Sequence, residues 1–273
     1  MRLSVENLSF GYRNQPVLQS IDLTFPDTGL TVLLGGNGCG KTTLLHTLAG
    51  LLKPQTGQVI LDQTPFASMG RKSIARKLSL LPQMTSAPAG VTVRELVMQG
   101  RFPWQTWWRQ WSKADQLAVD EAIQATGIEE LVERPLEQLS GGQRQRCWVA
   151  MTLAQDTPIL LLDEPTTYLD IAHQVELMNL VSNLCAQGKS VITVLHDLNQ
   201  AAAYADHMIM MQAGRVYAQG DVETVFTQTN LKAVFNLDAD IIREPRRQQL
   251  LCVPHVAGDE FANTVQMSLV GQS

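Results

Sequence analysis

Polar and apolar positions alternate along the first part of the chain. Residues 3–10 and 17–25 follow this pattern, which is typical of strands with one buried face. Gly11, Asn14 and Pro16 mark a turn between them. The sequence therefore predicts a pair of N-terminal strands.

Continuously apolar runs form a second pattern, which is typical of strands buried on both faces of a parallel sheet. They occur at 31–36 (TVLLGG), 158–165 (PILLLDEP) and 190–197 (SVITVLHD). Further strands are predicted at 56–62 and 77–83, and a hairpin around Ala213 and Gly214. Helices are predicted from about Lys41 to Ala49 and from about Ile171 to Gln187, the second ending at Gly188. This alternation predicts an α/β fold with a doubly wound core.

Helical periodicity without a convincing strand fills the stretch from Thr92 to about Ala154. We therefore expect one domain over residues 1–238, with a helical subdomain inserted at about 88–154. Residues 239–273 are expected to form a C-terminal tail, whose role the sequence does not reveal.

Charge and composition argue against one class of function, the binding of nucleic acid. The chain has 273 residues, with 21 Lys and Arg against 26 Asp and Glu, for a net charge of -5. Binding to nucleic acid phosphates normally requires a basic excess or a basic face, so no nucleic acid partner is expected. The most basic run, RKSIARK at 71–77, is interpreted as a solvated helix face.

Targeting and metal-binding signals are absent from the sequence pattern. The first ten residues alternate and carry Glu6, so they lack the apolar core of a secretory signal, and no apolar run approaches about 18 residues. Four dispersed cysteines favour reduced thiols, and five scattered histidines give no metal-ligand spacing. We expect a cytoplasmic chain that reaches a membrane only through a partner.

A glycine-rich loop carries the first candidate site. GGNGCGKT at 35–42 fits GxxxxGK(S/T) and lies between an apolar strand and a helix, where successive backbone N–H groups can surround phosphates. Lys41 is expected to reach the β- and γ-phosphates, and Thr42 to bind Mg²⁺. The predicted nucleotide contacts are Gly35, Gly36, Asn37, Gly38, Cys39, Gly40, Lys41, Thr42 and Thr43.

Two acidic residues follow a second apolar run, LLLDEP at 160–165. Asp163 ends the predicted strand, where its carboxylate can hold Mg²⁺ directly or through water. Glu164 is the candidate for polarising the attacking water.

LSGGQRQR at 139–146 supplies a second helix N-terminus suited to an anion. Its candidate contacts are Ser140, Gly141, Gly142 and Gln143. Two helix ends of one small domain cannot easily surround a single γ-phosphate, so we expect this end to serve a nucleotide on another subunit.

GGNGCGKT, Gln83, LSGGQ, LLLDEP, Asp170 and His196 together resemble the ATP-binding cassette (ABC) ATPases, over about residues 1–225. The resemblance implies a RecA-like parallel sheet, an N-terminal antiparallel β subdomain and an inserted helical subdomain. It also implies a head-to-tail dimer that holds two ATP molecules, each between the phosphate loop of one copy and the LSGGQ of the other.

The same resemblance implies individual roles. Tyr12 would stack on adenine, and Gln83 would sense Mg²⁺ and the γ-phosphate while contacting the transport partner. Ser140 and Gly142 would contact the γ-phosphate bound by the other copy. Asp170 would couple the two sites, and His196 would hold the γ-phosphate and orient attack.

Three positions depart from the commonest family pattern. Gly36 stands where proline is frequent and Thr42 where serine is frequent, and neither change removes a phosphate donor or the Mg²⁺ hydroxyl. Trp104 stands where iron-complex importers often have histidine, which weakens any substrate inference from that position.

VTVRELVMQGRFP at 91–103 and the later VLHDLNQAAAYAD resemble the ATPase subunits of bacterial iron(III)-siderophore, haem and cobalamin importers, the siderophore branch most strongly. The implied partners are a second copy, membrane permease subunits and, indirectly, a periplasmic or lipoprotein substrate-binding protein. The implied location is the cytoplasmic side of the bacterial inner membrane. Alternatives are haem or cobalamin import, a soluble ABC ATPase of translation or DNA repair, and a nucleotide-binding regulator without turnover.

Four of the five tryptophans lie in RFPWQTWWRQW at 101–111. Base stacking would require a basic groove, and membrane insertion would require basic flanks beyond Arg101 and Arg109. We therefore interpret the segment as part of the edge that faces the permease, with some rings packed inside the helical subdomain. Trp104 is the first candidate for that edge.

Overall fold

The computed structural model describes residues 3–13, 15–83, 87–106 and 111–256. The strands are β1 (Leu3–Tyr12), β2 (Gln15–Thr24), β3 (Gly29–Gly35), β4 (Thr56–Leu61), β5 (Thr64–Pro65), β6 (Leu78–Leu81), β7 (Ile159–Asp163), β8 (Ser190–Val194), β9 (His207–Gln212), β10 (Arg215–Gly220), β11 (Ala239–Arg243) and β12 (Leu250–Pro254). The α-helices are α1 (Lys41–Leu48), α2 (Arg71–Ala75), α3 (Val93–Gln99), α4 (Lys113–Ala125), α5 (Gly141–Ala154), α6 (Ile171–Ala186), α7 (Leu198–Tyr204), α8 (Val222–Val225) and α9 (Gln228–Phe235).

Two larger sheets build the core. The N-terminal sheet is antiparallel with the order β2-β1-β4-β5, and the central sheet has the order β10-β9-β3-β8-β7-β6. In the central sheet β9, β3, β8, β7 and β6 are parallel, and only the edge strand β10 is antiparallel. The predicted α/β fold with a parallel core and an antiparallel subdomain is confirmed.

The apolar runs explain why the central strands lie inside. Every residue of β7 and β8 is buried, as expected for strands covered on both faces. One face meets the N-terminal sheet and α1, whose Leu44, Leu45 and Leu48 are fully buried. Each such leucine contributes roughly 1.5–3 kcal/mol of hydrophobic stabilisation. The other face meets α6, α7 and α9.

Helices α3, α4 and α5 pack around their own hydrophobic core, within the range predicted for the helical subdomain. Each begins with a capping box, at Thr92, Ser112 and Ser140 respectively, which satisfies otherwise unpaired N–H groups. An ion pair lies inside this subdomain, because Arg101 Nε is 3.0 Å from Asp115 Oδ1 and both side chains are almost fully buried. Burial acts to raise the pKa of Asp115, but the bonds from Ser112 and Arg101 outweigh it, and the pKa is lowered.

The C-terminal part contains structure that the sequence patterns did not predict. Residues 239–254, expected to belong to a tail, form the β11–β12 hairpin. The Asn199 side chain on α7 accepts a bond from Cys252 N at 2.7 Å and donates to Cys252 O at 3.2 Å. The hairpin is therefore fastened to α7. Within the described ranges, no helix combines the length and the apolar character needed to span a membrane.

The basic run at 71–77 is not simply a solvated face. Lys72 Nζ donates to Gln105 O at 2.9 Å, and Arg76 Nε donates to Pro103 O at 2.9 Å. Helix α2 therefore holds the start of the tryptophan-rich segment. Trp107, Trp108 and Arg109 of that segment lie outside the described residues.

Candidate functional site

The phosphate loop connects β3 to α1, as the sequence predicts. Gly40 has φ of 106°, and a Cβ there would lie 2.8 Å from the Leu18 side chain, so glycine is required twice over. Lys41 is buried, with its Nζ donating to Gly35 O at 2.8 Å and to Gly36 O at 3.1 Å. Its ammonium is thus held inside the loop, where it can exchange these carbonyl oxygens for phosphate oxygens.

The end of β7 delivers Asp163 to the first turn of α1. Thr42 Oγ1 donates to Asp163 Oδ1 at 3.2 Å, across 121 residues of sequence. Asp163 is fully buried, and this burial raises the pKa of its carboxyl, although the Thr42 bond acts to lower it.

The two oxygens of this pair fit a magnesium ion. Asp163 Oδ2 is buried and lacks a hydrogen-bond partner among the described residues, and His46 Nε2 lies 3.9 Å from it. Carboxylate and hydroxyl oxygens are the ligands that Mg²⁺ prefers, usually with waters completing the shell. A cation would also remove the cost of burying this carboxylate.

Glu164 and His196 form a second pair. His196 Nε2 lies 2.6 Å from Glu164 Oε1, and Thr167 Oγ1 lies 3.4 Å from the other carboxylate oxygen. Glu164 has φ of 53°, a left-handed conformation that costs a non-glycine residue roughly 1 kcal/mol or more. Glu164 therefore occupies a strained turn directly after the magnesium candidate, and its carboxylate contacts His196 of the loop after β8.

Lys41, Thr42 and Glu164 line one cavity of about 400 Å³. Its lining residues are Val17, Gly38, Gly40, Lys41, Thr42, Thr43, Gln83 and Glu164. Asn37 lies exposed on the loop, and Cys39 is buried with its Sγ 3.7 Å from Lys41 Nζ. The structure thus brings together residues that lie between positions 17 and 164 of the chain.

The second helix N-terminus is placed differently. Ser140 and Gly141 are exposed, and neither lines the cavity around Lys41. Ser140 Oγ accepts from Gln143 N at 3.2 Å, and Ser140 N donates to Gln143 Oε1 at 3.0 Å. A Cβ at Gly142 would lie 3.4 Å from Leu169, so this turn packs against the loop before α6.

Two other predicted residues lie at the margins. Tyr12 is exposed and makes an edge contact with Phe10, with ring centroids 4.9 Å apart, and it does not line the cavity. Asp170 caps α6 by accepting from His173 N at 2.9 Å, and this bond lowers the pKa of its carboxyl. Their assigned roles toward adenine and the second site stay predictions.

The sequence patterns did not identify His46 as a site residue, although its Nε2 lies 3.9 Å from Asp163 Oδ2. The signal was available, because His46 follows Thr42 by four residues and therefore lies on the same face of α1. Its Nε2 is buried without a hydrogen-bond partner among the described residues.

A second groove, of about 460 Å³, lies between the core and the helical subdomain. Its lining residues are Gln83, Ala87, Pro88, Leu136, Glu137, Gly141, Arg144, Gln145, Trp148 and Tyr168. Trp104, the first candidate for a partner-facing edge, is not among them. Among the tryptophans that the structure describes, Trp148 lines this groove, and it lies outside the tryptophan-rich segment.

The described geometry combines a phosphate loop, a magnesium candidate and the Glu164 carboxylate beside one cavity, and the ABC transporter family model matches residues 18–167. This chain belongs to the ABC transporter family. Like the ATP-binding proteins of ABC transporters, it binds ATP and is an ATPase. The matched range contains the phosphate loop, Gln83, the Ser140 turn and the Asp163–Glu164 pair.

Similar proteins come from several bacteria. The chain is 47% identical over 253 residues to the achromobactin transport ATP-binding protein of Dickeya dadantii, covering 92% of this chain and 94% of the relative. It is 46% identical over 257 residues to the petrobactin import ATP-binding protein FpuD of Bacillus anthracis, covering 94% of each. Among solved structures, an inward-facing ABC transporter of the metal-chelate type matches with a TM-score of 0.80 and 28% identity, covering 93% of this chain and 97% of that one.

Proposed function

We propose that this chain is the ATP-hydrolysing subunit of a bacterial importer for an iron(III)-siderophore complex. The observation that carries the proposal is that Lys41, Thr42 and Glu164 line one cavity, where Thr42 is bonded to the buried Asp163. Relatives that cover most of the chain are named for achromobactin and petrobactin transport, which supports the cargo class.

Lys41 binds the β- and γ-phosphates of ATP, replacing the carbonyl contacts to Gly35 and Gly36. The backbone N–H groups of the loop and the start of α1 bind the remaining phosphate oxygens. Tyr12 stacks on the adenine from the end of β1.

Thr42 and Asp163 would hold Mg²⁺, and Gln83, which follows β6 and lines the same cavity, would be a further oxygen ligand. When bound, the ion neutralises charge on the β- and γ-phosphates and helps to align the reacting oxygens. Asp163 Oδ2, which is buried without a hydrogen-bond partner in the described part of the chain, supports this assignment.

Glu164 accepts a proton from the attacking water, and its carboxylate already lies at the edge of the cavity. His196, 2.6 Å from that carboxylate, holds the γ-phosphate and orients the water. Burial of most of the Glu164 side chain keeps bulk water from competing for this position.

Two copies form a head-to-tail dimer, in which Ser140 and Gly142 of one copy contact the γ-phosphate bound by the other, with Gly141 and Gln143 completing this turn. The exposure of Ser140 and Gly141 supports this arrangement. The Asp170 loop, against which this turn packs, couples the two sites.

The permease binds in the groove between the core and the helical subdomain. Gln83 lines both this groove and the nucleotide cavity, so one side chain can report nucleotide state to the partner. The chain then acts at the cytoplasmic face of the inner membrane, and a substrate-binding protein delivers cargo on the opposite side.

Deletion of the gene and growth on single nutrient sources test the cargo. We expect loss of growth on a ferric siderophore as the iron source, restored by the wild-type gene but not by the Glu164→Gln variant. Growth with haem as the iron source and cobalamin-dependent growth are measured in parallel. A growth defect confined to one of these two conditions would indicate that the cargo is haem or cobalamin instead.

Normal growth in every arm would contradict the import proposal. Copurification with ribosomes or damaged DNA rather than with a permease would instead favour a soluble ABC ATPase. A Glu121→Gln variant, altered at an exposed helix position away from the cavity, serves as the matched complementation control.

A further inference from the structure

Trp104 lies where the helical subdomain meets the core. Its indole Nε1 donates to Gln155 O at 2.7 Å. Gln155 is the C-cap of α5, so this bond is made at the end of the helix opposite to Ser140. The predicted partner-facing residue is therefore bound to the base of α5.

The same glutamine connects α5 to the central sheet. Gln155 Nε2 donates to Ala75 O at 2.6 Å and to Leu78 O at 3.1 Å. Leu78 is the first residue of β6, and that strand leads to Gln83 at the nucleotide cavity. The base of α5 and the start of β6 are thus joined through one side chain that Trp104 helps to hold.

Two guanidinium groups hold the Trp104 ring. Arg76 lies 5.4 Å and Arg101 5.3 Å from the ring, distances at which a cation is attracted to an aromatic face. Arg101 also donates to Ala154 O at 2.8 Å and pairs with buried Asp115. We call Arg76, Arg101, Trp104 and Gln155 the base cluster.

A small tilt at the C-terminal base of α5 displaces the N-terminus of this helix, because the helix is long. Helix α5 has 14 residues and is therefore about 21 Å long. A tilt of about 5° at its base would move its N-terminus by about 2 Å over that length. Phosphate contacts through N–H and O–H donors need errors well below about 1 Å, so a loose base would misplace Ser140.

We propose that Trp104 is a positioning residue, which fixes the base of α5 on β6 and thereby sets where Ser140 meets the nucleotide of the other copy. This inference rests on the proposed function, because it requires the head-to-tail dimer. Tryptophan in place of the frequent histidine at position 104 is then explained by the position of Ser140 relative to the γ-phosphate of the other copy, and not by the choice of cargo.

Trp104→Phe is the sharpest test, because phenylalanine retains a six-membered aromatic ring for the two arginines and removes the N–H donor together with the five-membered ring that carries it. Trp111→Phe is the matched control, since Trp111 Nε1 donates to Gln116 Oε1 at 3.1 Å within the same subdomain. Both changes are made in the Glu164→Gln background, where ATP is expected to trap the dimer.

Sedimentation measures the dimer dissociation constant with MgATP, and calorimetry measures the affinity of the single chain for MgADP. We expect Trp104→Phe to raise the dimer dissociation constant about tenfold and to change MgADP affinity less than twofold. Trp111→Phe should change neither. Equal dimer affinity in Trp104→Phe and its parent would overturn the inference. A parallel loss of MgADP affinity would also overturn it, because it would indicate that the substitution destabilises the whole chain.

A readout on the single chain separates this inference from the dimer proposal. Spin labels are attached through encoded ketone side chains at Gln138 and Lys53, two exposed positions on the helical subdomain and the core. We expect a broader distance distribution in Trp104→Phe than in wild type or Trp111→Phe. An unchanged distribution would refute the positioning role, whereas a Glu164→Gln parent that never dimerises would refute the proposed function instead.

Discussion

Helices α1 and α5 both begin at a glycine-containing turn, and each leaves backbone N–H groups free for an anion. At α1 the turn is surrounded by the chain itself, with Lys41 buried and Thr42 bonded to Asp163. At α5 the turn is exposed, and a capping box between Ser140 and Gln143 satisfies part of it.

This difference shows which helix end can bind a phosphate within one chain and which end needs a second molecule. The α1 end has a cation, a hydroxyl and the Glu164 carboxylate at one cavity, with Asp163 bonded to that hydroxyl, so a single chain can hold the nucleotide there. The α5 end offers N–H and hydroxyl donors on a surface, with the exposed Arg144 in the same turn, so it contributes when a second molecule brings a phosphate to it. Variants at the two ends should therefore separate nucleotide affinity from dimer formation.

Glu164→Gln should have the largest effect. The amide keeps the shape of the side chain but cannot accept the proton of water, so we expect phosphate release to fall by about 10²-fold or more. ATP binding should persist, and size-exclusion chromatography should show an ATP-dependent dimer. Undiminished turnover would remove Glu164 from the mechanism, and Glu121→Gln should behave as wild type.

Lys41→Ala should act on the α1 end alone. Hydrogen bonds to charged groups contribute about 1.5–3 kcal/mol, so nucleotide affinity should fall roughly 10- to 100-fold. Calorimetric titration with MgADP measures this loss on the single chain. Lys53→Ala, which removes an exposed cation after α1, is the control, and equal affinity in the two variants would contradict the assigned phosphate contact.

Ser140→Ala should act on the α5 end alone. Loss of the hydroxyl should weaken ATP-driven dimerisation in the Glu164→Gln background by about tenfold, a cost typical of one hydrogen bond to a charged group. Affinity of the single chain for MgADP should stay within twofold of wild type.

Thr92→Ala is the matched control for that change. It removes the hydroxyl of the α3 capping box, so both variants lose about 1 kcal/mol of helix stabilisation. Only Ser140→Ala should affect the dimer. If both variants weaken it equally, the effect reflects stability of the helical subdomain rather than a contact to phosphate.

Much of the α1 end could be predicted, because its chemistry depends on short runs. Four glycines, Lys41 and Thr42 lie within eight residues, and Asp163 and Glu164 stand at the end of a single apolar run. The parallel sheet then brings the two runs to the same edge, which the pattern of buried strands already required.

The base cluster could not be predicted in the same way. Trp104, Gln155 and Leu78 come from three separate segments, and their bonds run between a side chain and a backbone oxygen. Every residue type has a backbone carbonyl oxygen that can accept such a bond. The sequence therefore contains no pattern that would predict it. The same reason hid the hairpin at 239–254, which Asn199 fastens through the backbone of Cys252.

Asn199→Ala should have a smaller effect, and on stability rather than on binding. It leaves the N–H and C=O of Cys252 without their partner, at a cost of about 1–2 kcal/mol. Thermal unfolding should show a melting temperature lower by a few degrees. Asn183→Ala, at an exposed position of α6, should leave the melting temperature unchanged, and equality of the two variants would show that the hairpin is not fastened there.

The smallest expected effect concerns how α5 moves. Burial raises the pKa of Cys147, in the middle of this helix, to about 12, so at pH 8 only about one thiol in ten thousand is a reactive thiolate. If α5 moves as one body with α3 and α4, alkylation of Cys147 by iodoacetamide should be negligible over hours, with or without MgATP. Peptide mass spectrometry measures it, and the denatured chain gives full labelling. Labelling that appears only with MgATP would mean that α5 separates from α3 and α4, and the base cluster could then not control the position of Ser140.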